Sequence, residues 1–246
     1  MRAAHASAQK RGLTATPNGV RLVADMSNKT VAPTPPISAS RARREREKSE
    51  TRRLILEAAR ELFTSEGYAQ TSMRKIADKI GYTATAIYHH FADKDALLNE
   101  LCLNDFRALG EALRRMDKLP DPISRLRAMG VNYVRFALEH PQQFRFMFLV
   151  ERPIPGPEIV TIDPAEDGYA FLTGAVREAI ELQMLRPELS DVEGVAQMIW
   201  SGVHGLSALH LHSQHKPHPW MELRDPIETA TLYIDVMLRG VLRDPK

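Results

Sequence analysis

The 246-residue chain has a single cysteine, Cys102. One thiol forms no intramolecular disulfide and builds no thiolate metal site by itself, which excludes a disulfide-stapled secreted scaffold and fits a reducing compartment. No stretch approaches the roughly 20 consecutive apolar residues that a membrane span requires. The N-terminal residues show no apolar h-region either, but hold Arg2, Lys10, Arg11 and Arg21. Also lacking are a Gly-rich phosphate loop, a Gly-x-Ser-x-Gly elbow and any internal repeat of solenoid length. No segment alternates with period two. The expectation is a cytoplasmic, all-α protein that is not an enzyme, needs no cofactor or metal and meets no membrane. Its 43% hydrophobic content is enough for one large or two small cores. Translation could begin at Met1 or at Met26.

Charge is informative only when divided along the chain. Residues 1–48 hold ten Lys/Arg against three acids, residues 49–98 seven of each, and residues 99–246 sixteen bases against twenty-one acids. A basic arm on an acidic body suits a chain with one end facing a polyanion. Residues 1–47 follow no period and include Ala32-Pro-Thr-Pro-Pro36, so a disordered basic arm is expected there. Arg41, Arg43, Arg44, Arg46 and Lys48 at its end could reach phosphates, or could serve only as a solvated leader.

From Ser49 the apolar residues recur with helical period. Leu54, Ile55, Ala58, Ala59, Leu62 and Phe63 form one stripe that ends at Gly67. Thr71 or Ser72 can cap a short second helix carrying Met73, Ile76, Ala77 and Ile80, which Gly81 terminates. Thr83 can cap a third helix, with Ile87 and Phe91 facing inward. Asp93 can cap a fourth, carrying Ala96, Leu97, Leu101 and Leu109. Two short helices around a glycine, with a longer one packed across them, make a helix-turn-helix over residues 72–91. The third helix then turns Ala84, Thr85, Tyr88 and His89 outward. Small residues at its start let the backbone approach base edges.

The run Arg53-Leu-Ile-Leu-Glu-Ala-Ala-Arg-Glu-Leu-Phe63, Gly67-Tyr68, Thr71-Ser-Met-Arg-Lys-Ile-Ala77, Gly81-Tyr-Thr83, Ile87-Tyr-His-His-Phe91 and Lys94-Asp-Ala-Leu-Leu98 resembles the DNA-binding domain of TetR-family transcriptional regulators. The resemblance implies a homodimer that sets two third helices in successive major grooves of a near-palindromic operator on double-stranded DNA. Carried over by position, it puts Ala84, Thr85 and Ala86 at base edges, Thr83 among the DNA-binding residues, and Ser72 and Arg74 at phosphate or base contacts. Tyr88 and His89 fall at the backbone, and Lys94 on a phosphate. Two of the three reading positions are alanine, so Arg74, Thr85 and DNA shape would carry much of the specificity.

Beyond residue 120, helices are expected at roughly 121–139, 141–150, 164–185, 189–212 and 220–241, with Pro-rich separators at Pro153-Ile-Pro-Gly-Pro157 and Lys216-Pro-His-Pro219. The count is about nine helices in three parts: the arm (1–47), the helix-turn-helix domain (48–98) and a helical effector-binding and dimerisation domain (99–246). Ile199-Trp-Ser-Gly-Val-His-Gly-Leu206 resembles the Trp-His-Gly signature of one group of C-terminal regulator domains. Trp200 and His204 then line or brace an effector cavity, or form an ordinary core pair. Met129, Tyr133 and Phe136, with Phe144, Met147, Phe148, Met184 and Met198, are further candidates for its wall. Few basic residues fall on these faces, which favours a mainly apolar small-molecule effector over a phosphorylated one.

The last two helices carry surplus apolar residues, among them Val195, Ile199, Val203, Leu206 and Leu209, then Leu223, Ile227, Leu232, Ile234, Val236, Met237 and Leu238. Such a pair can self-associate across a two-fold axis. The expected switch is a ligand that changes the tilt of the helix at 94–117 and releases a repressor from its operator. An activator or a ligand-independent repressor would share the fold. His210, His212, His215 and His218 suggest an alternative, a metal-binding regulatory or storage protein. Their spacing, however, misses the i, i+4 pairing that sets two imidazoles on one helical face. Ser201, His204 and Asp191 could be drawn as a triad, but two of them share one helix and no acid is oriented.

Overall fold

The computed structural model describes residues 39–149, 163, 166–215 and 221–243. Two compact units are distinguished, Met1–Ala42 and Arg43–Lys246. Of the first, only residues 39–42 fall among those described, and they are helical. Residues 1–38 of the expected disordered arm and both Pro-rich separators lie outside the described residues.

Among the described residues the regular elements are helices: α1 (Ala39–Glu66), α2 (Met73–Ile80), α3 (Ala84–Tyr88), α4 (Lys94–Arg114), α5 (Pro122–Glu139), α6 (Pro141–Phe148), α7 (Gly168–Glu181), α8 (Val192–His215) and α9 (Pro226–Val241). A short 3-10 turn follows α4, and the nearest approach to a strand is one isolated bridge between Leu185 and Leu242.

The first helix corrects the expected boundary, because it begins at Ala39 and not at Ser49. Residues 39–47 have no apolar stripe to reveal them. Arg and Glu are nonetheless good helix formers, and Arg43 pairs with Glu47 one turn on at 3.4 Å. Once the apolar stripe from Ile55 to Phe63 is packed, adding charged turns at the N-terminus avoids the cost of nucleation.

The short helices are fixed by their caps. Ser72 Oγ accepts from Lys75 N at 3.2 Å, Thr83 Oγ1 from Ala86 N at 3.2 Å, and Asp93 Oδ1 from Ala96 N at 2.7 Å. Gly81 ends α2 at φ 72°, a left-handed conformation that a side chain would strain. Met73, Ile76, Ala77, Ile87 and Phe91 thereby close a core against Ile55, Ala59 and Phe63 of α1.

That core does not stop at the expected boundary of residue 98, which falls inside α4. Leu101 and Cys102 of α4 belong to it, and so does Phe146 of α6, whose ring stacks on Phe63 at 6.0 Å. A buried ion pair crosses the same place. Arg60 of α1 grips both carboxylate oxygens of the fully buried Asp105 of α4, the contact to Oδ1 being 2.6 Å, and Gln143 of α6 donates to Oδ1 at 3.0 Å.

In the C-terminal body α5 lies at the centre, packed by α4, α7, α8 and α9. Two glycines permit this closeness. A Cβ on Gly130 would lie 2.6 Å from Ile234 of α9, and one on Gly110 would lie 1.8 Å from the backbone oxygen of Glu166, just before α7. Backbone cannot swing aside, so α4 and the start of α7 meet only because residue 110 has no side chain.

Candidate nucleic-acid interface and ligand cavity

The outward face of α3 follows from the caps and from the burial of Ile87. With Ile87 fully enclosed, Thr85, Tyr88 and His89 are turned to solvent, Tyr88 being 54% exposed. Thr83 is exposed at the helix start with its hydroxyl spent on the cap, and Ser72 stands likewise at the start of α2. Arg74 is exposed and held only by a loose 3.9 Å contact to Asp78. Ala86 is half-buried. Ala84 differs from the expected outward position, since it is half-buried and packs on the core. Tyr82 in the turn is exposed beside this face.

Lys94 is also engaged within the protein. Its ammonium donates to the carbonyls of Tyr68 at 2.8 Å and Thr71 at 2.9 Å, and sits 4.0 Å from the centre of the Tyr68 ring. It therefore ties the turn between α1 and α2 to the start of α4. Arg52 braces the far end of α3 from α1. It donates to the His90 carbonyl at 2.7 Å and to Glu100 at 2.9 Å, and lies over the Phe91 ring at 4.1 Å. His90 turns inward with Nδ1 buried, and burial together with Arg52 and Lys48 lowers its pKa, so its ring is neutral.

A cavity of about 580 Å³ opens between α4, α5, α6, α7 and α8. Of the expected wall residues, Met129, Tyr133, Phe148 and Trp200 line it. Phe136, Phe144 and Met147 are buried in the core and do not line it, while Met198 is exposed. His204 stands behind the wall, its Nδ1 2.9 Å from the Tyr133 hydroxyl, and Trp200 Nε1 donates to the same hydroxyl at 3.1 Å. Burial lowers the His204 pKa, keeping the ring neutral, and pushes the Tyr133 phenol up so that it retains its proton.

Sequence reasoning missed Phe106, Leu109 and Leu113, by which α4 itself forms part of the wall, and Tyr169 at the mouth. It also missed the Arg60–Asp105–Gln143 cluster. A signal for the cluster was present: Asp105 stands on the stripe of Leu101 and Leu109, where an unpaired acid would be costly.

The histidine-rich segment offers little for a metal. His210 is buried, with Nδ1 3.0 Å from the Leu206 carbonyl and Nε2 3.1 Å from that of Arg224. The side chains of His215 and His218 lie outside the described residues. Among the described residues no group of three His, Cys, Asp or Glu could hold an ion. Ser201 spends its hydroxyl on the Gln197 carbonyl at 2.6 Å.

A capped three-helix unit presenting the outer face of its third helix, joined by a shared helix to a body with an apolar cavity, defines a helix-turn-helix regulator with a regulatory domain. Residues 55–101 match the family described as bacterial regulatory proteins, tetR family, and residues 126–235 match the tetracyclin repressor-like C-terminal domain. The chain belongs to the TetR family of transcriptional regulators, which are not enzymes. It is 29% identical over 151 residues to the transcriptional regulator AcrR of Shigella flexneri, across 58% of this chain and 70% of that one. The regulator UidR of Escherichia coli K12 is 32% identical over 89 residues, only 36% of this chain and 40% of that protein. The solved structure of the ketosteroid transcriptional regulator KstR2 of Mycobacterium tuberculosis superimposes with a TM-score of 0.58 at 25% identity, covering 79% of this chain and 96% of that one. Among the described residues no helix is long and apolar enough to cross a membrane.

Proposed function

We propose that the chain is a homodimeric repressor that reads a near-palindromic operator with α3 and is released by a small, mainly apolar effector bound in the α4–α8 cavity. The observation that carries this reading is the double membership of α4 and α6. Leu101 and Cys102 of α4 lie in the core under α3, and Phe106, Leu109 and Leu113 of the same helix line the cavity. On α6, Phe146 enters the core under α3 while Phe148 lines the cavity. A ligand that needs more room than the free cavity offers must move these two helices, and close-packed cores respond to such demands by shifting as units. Half-sites about one helical turn apart hold the two reading helices to a fixed separation, so a small rotation weakens both contacts together. The apolar walls agree with an apolar effector, as does the ketosteroid named for the structural relative.

On the reading face, Thr85 is assigned to base edges, and Tyr88, His89 and Arg74 to the DNA backbone or its margins. Ser72 and Thr83 contribute through exposed helix starts, Ala84 and Ala86 mainly by their small size, and Lys94 by positioning. Tyr88→Ala and Arg74→Ala are each expected to weaken binding to operator and random-sequence duplexes alike, by about tenfold, and Arg74→Ala to reduce the salt dependence by about one counterion per site. Thr85→Ala is expected to change preference among operator variants with little loss on random duplex. Fluorescence anisotropy titrations over a salt series read all three. Unchanged affinity in both Tyr88→Ala and Arg74→Ala contradicts the assignment of this face.

A further inference from the structure

Most side-chain donors at the cavity wall are already spent. Trp200 Nε1 gives its hydrogen to the Tyr133 oxygen. Tyr133 keeps its phenolic hydrogen and lies 2.9 Å from Nδ1 of the neutral His204; with the His204 hydrogen assigned to Nε2, the hydroxyl donates to Nδ1 and the chain runs from Trp200 through Tyr133 to His204. At the mouth, the Tyr169 hydroxyl donates to Glu193 at 2.7 Å. Ser201 donates to the Gln197 carbonyl. Of the lining side chains among these, only Gln197 keeps a hydrogen to offer. Unused acceptors, by contrast, are several: a lone pair on buried Tyr133, one on Ser201, and carboxylate oxygens of Glu193 and Asp167. Among the described residues no lysine or arginine lines the cavity.

The apolar part of the wall has a matching character. Phe148 stands edge-on to Phe106 at 5.8 Å and to Trp200 at 6.1 Å, and Tyr169 meets Trp200 at 6.0 Å. Aromatic faces attract cations, most strongly where water is excluded. A ligand bearing only acceptors, such as a ketone or a carboxylate, would lose its hydrogen bonds to water and find few replacements. A carboxylate would also face two acids.

Resting on the assignment of this cavity as the effector site, we infer that the effector is an apolar amine or other organic cation, with its hydrogen-bond donor or positive charge set toward Glu193 and Tyr133. This departs from the ketone suggested by the structural relative's name.

The test uses one ring system with three end groups: 1-pyrenemethylamine, 1-pyrenemethanol and 1-pyrenecarboxylate. In full-length protein carrying Trp220→Phe, Trp200 is the remaining tryptophan and reports binding by energy transfer to pyrene. The amine is expected to bind at least about tenfold more tightly than the alcohol, and the alcohol more tightly than the carboxylate. Glu193→Gln should remove most of the amine's advantage while leaving the alcohol within about twofold. Carboxylate binding equal to or tighter than amine binding overturns the inference and leaves the cavity as the effector site. Absence of energy transfer with all three overturns the site assignment and the inference with it. An amine preference that survives Glu193→Gln and Tyr133→Phe also overturns the placement of the charge.

Discussion

Arg60→Met is expected to destabilise the fold by about 3–5 kcal/mol, a large share of the roughly 5–15 kcal/mol that holds an ordinary domain together. Asp105 is fully buried and its carboxylate depends on the two-pronged grip of Arg60, with Gln143 adding one further hydrogen bond. Without the guanidinium the buried acid loses the two-pronged ion pair that accompanies its burial. Replacing both members with apolar residues of similar shape, Arg60→Met with Asp105→Leu, should recover most of the loss, because the cost lies in burying the acid more than in the missing attraction. Urea denaturation of the three proteins provides the measurement. A loss below about 1 kcal/mol for Arg60→Met would place the pair with surface ion pairs, and its bridging role would fall. Since α1, α4 and α6 meet here, the double variant also bears on signalling: it should stay folded yet respond differently to ligand.

The second large effect concerns the two-fold contact. TetR-family regulators bind operators and dimerise, and α8 with α9 presents the surface that suits such a contact. Val195, Ile199, Val203, Ile234 and Leu238 are consumed by the protein's own core, which leaves Met198, Leu209, Leu232 and Val236 exposed, the last two at 66% and 59%. Leu232 and Val236 lie one turn apart on α9, and Gly205 on the exposed side of α8 leaves open space where a partner backbone could approach. Leu232→Glu with Val236→Glu should therefore yield a folded monomer. Because the two half-sites would then be bound independently, operator affinity should fall by a factor of about 100 or more. Sedimentation equilibrium and anisotropy on the same samples decide the matter. A variant that sediments as a dimer and binds normally would move the interface elsewhere.

How much of this was legible in the sequence depends on the range of the interactions. Ser72, Gly81, Thr83 and Asp93 act on backbone groups two to four residues away, so turn and cap chemistry revealed α2, α3 and the start of α4 almost to the residue. Helical period likewise exposed the stripe of α1. It did not reveal residues 39–48, where helix persists on charge pairs with nothing apolar to mark it. Periodicity also cannot say which of two cores a face will meet. Phe144, Met147 and Phe148 were candidates for a cavity wall, whereas the neighbouring Phe146, unremarked in the sequence, reaches the core under α3. The same blindness hid the cavity-facing side of α4 and the internal partners of Lys94 at Tyr68 and Thr71, which lie more than twenty residues away. Resemblance located the reading face, but only folding shows that Ala84 is partly absorbed into packing.

The central claim is that α3 of a two-fold dimer reads a specific operator. The most direct test is selection of bound fragments from the source organism's sheared DNA by purified full-length protein at near-physiological salt, read by sequencing, with Thr85→Ala alongside. The account predicts enrichment of one near-palindrome with half-site centres about one helical turn, or a whole multiple of it, apart, and a shifted motif for the variant. Enrichment that never rises above the salt-sensitive background, or an identical motif for both proteins, would contradict it.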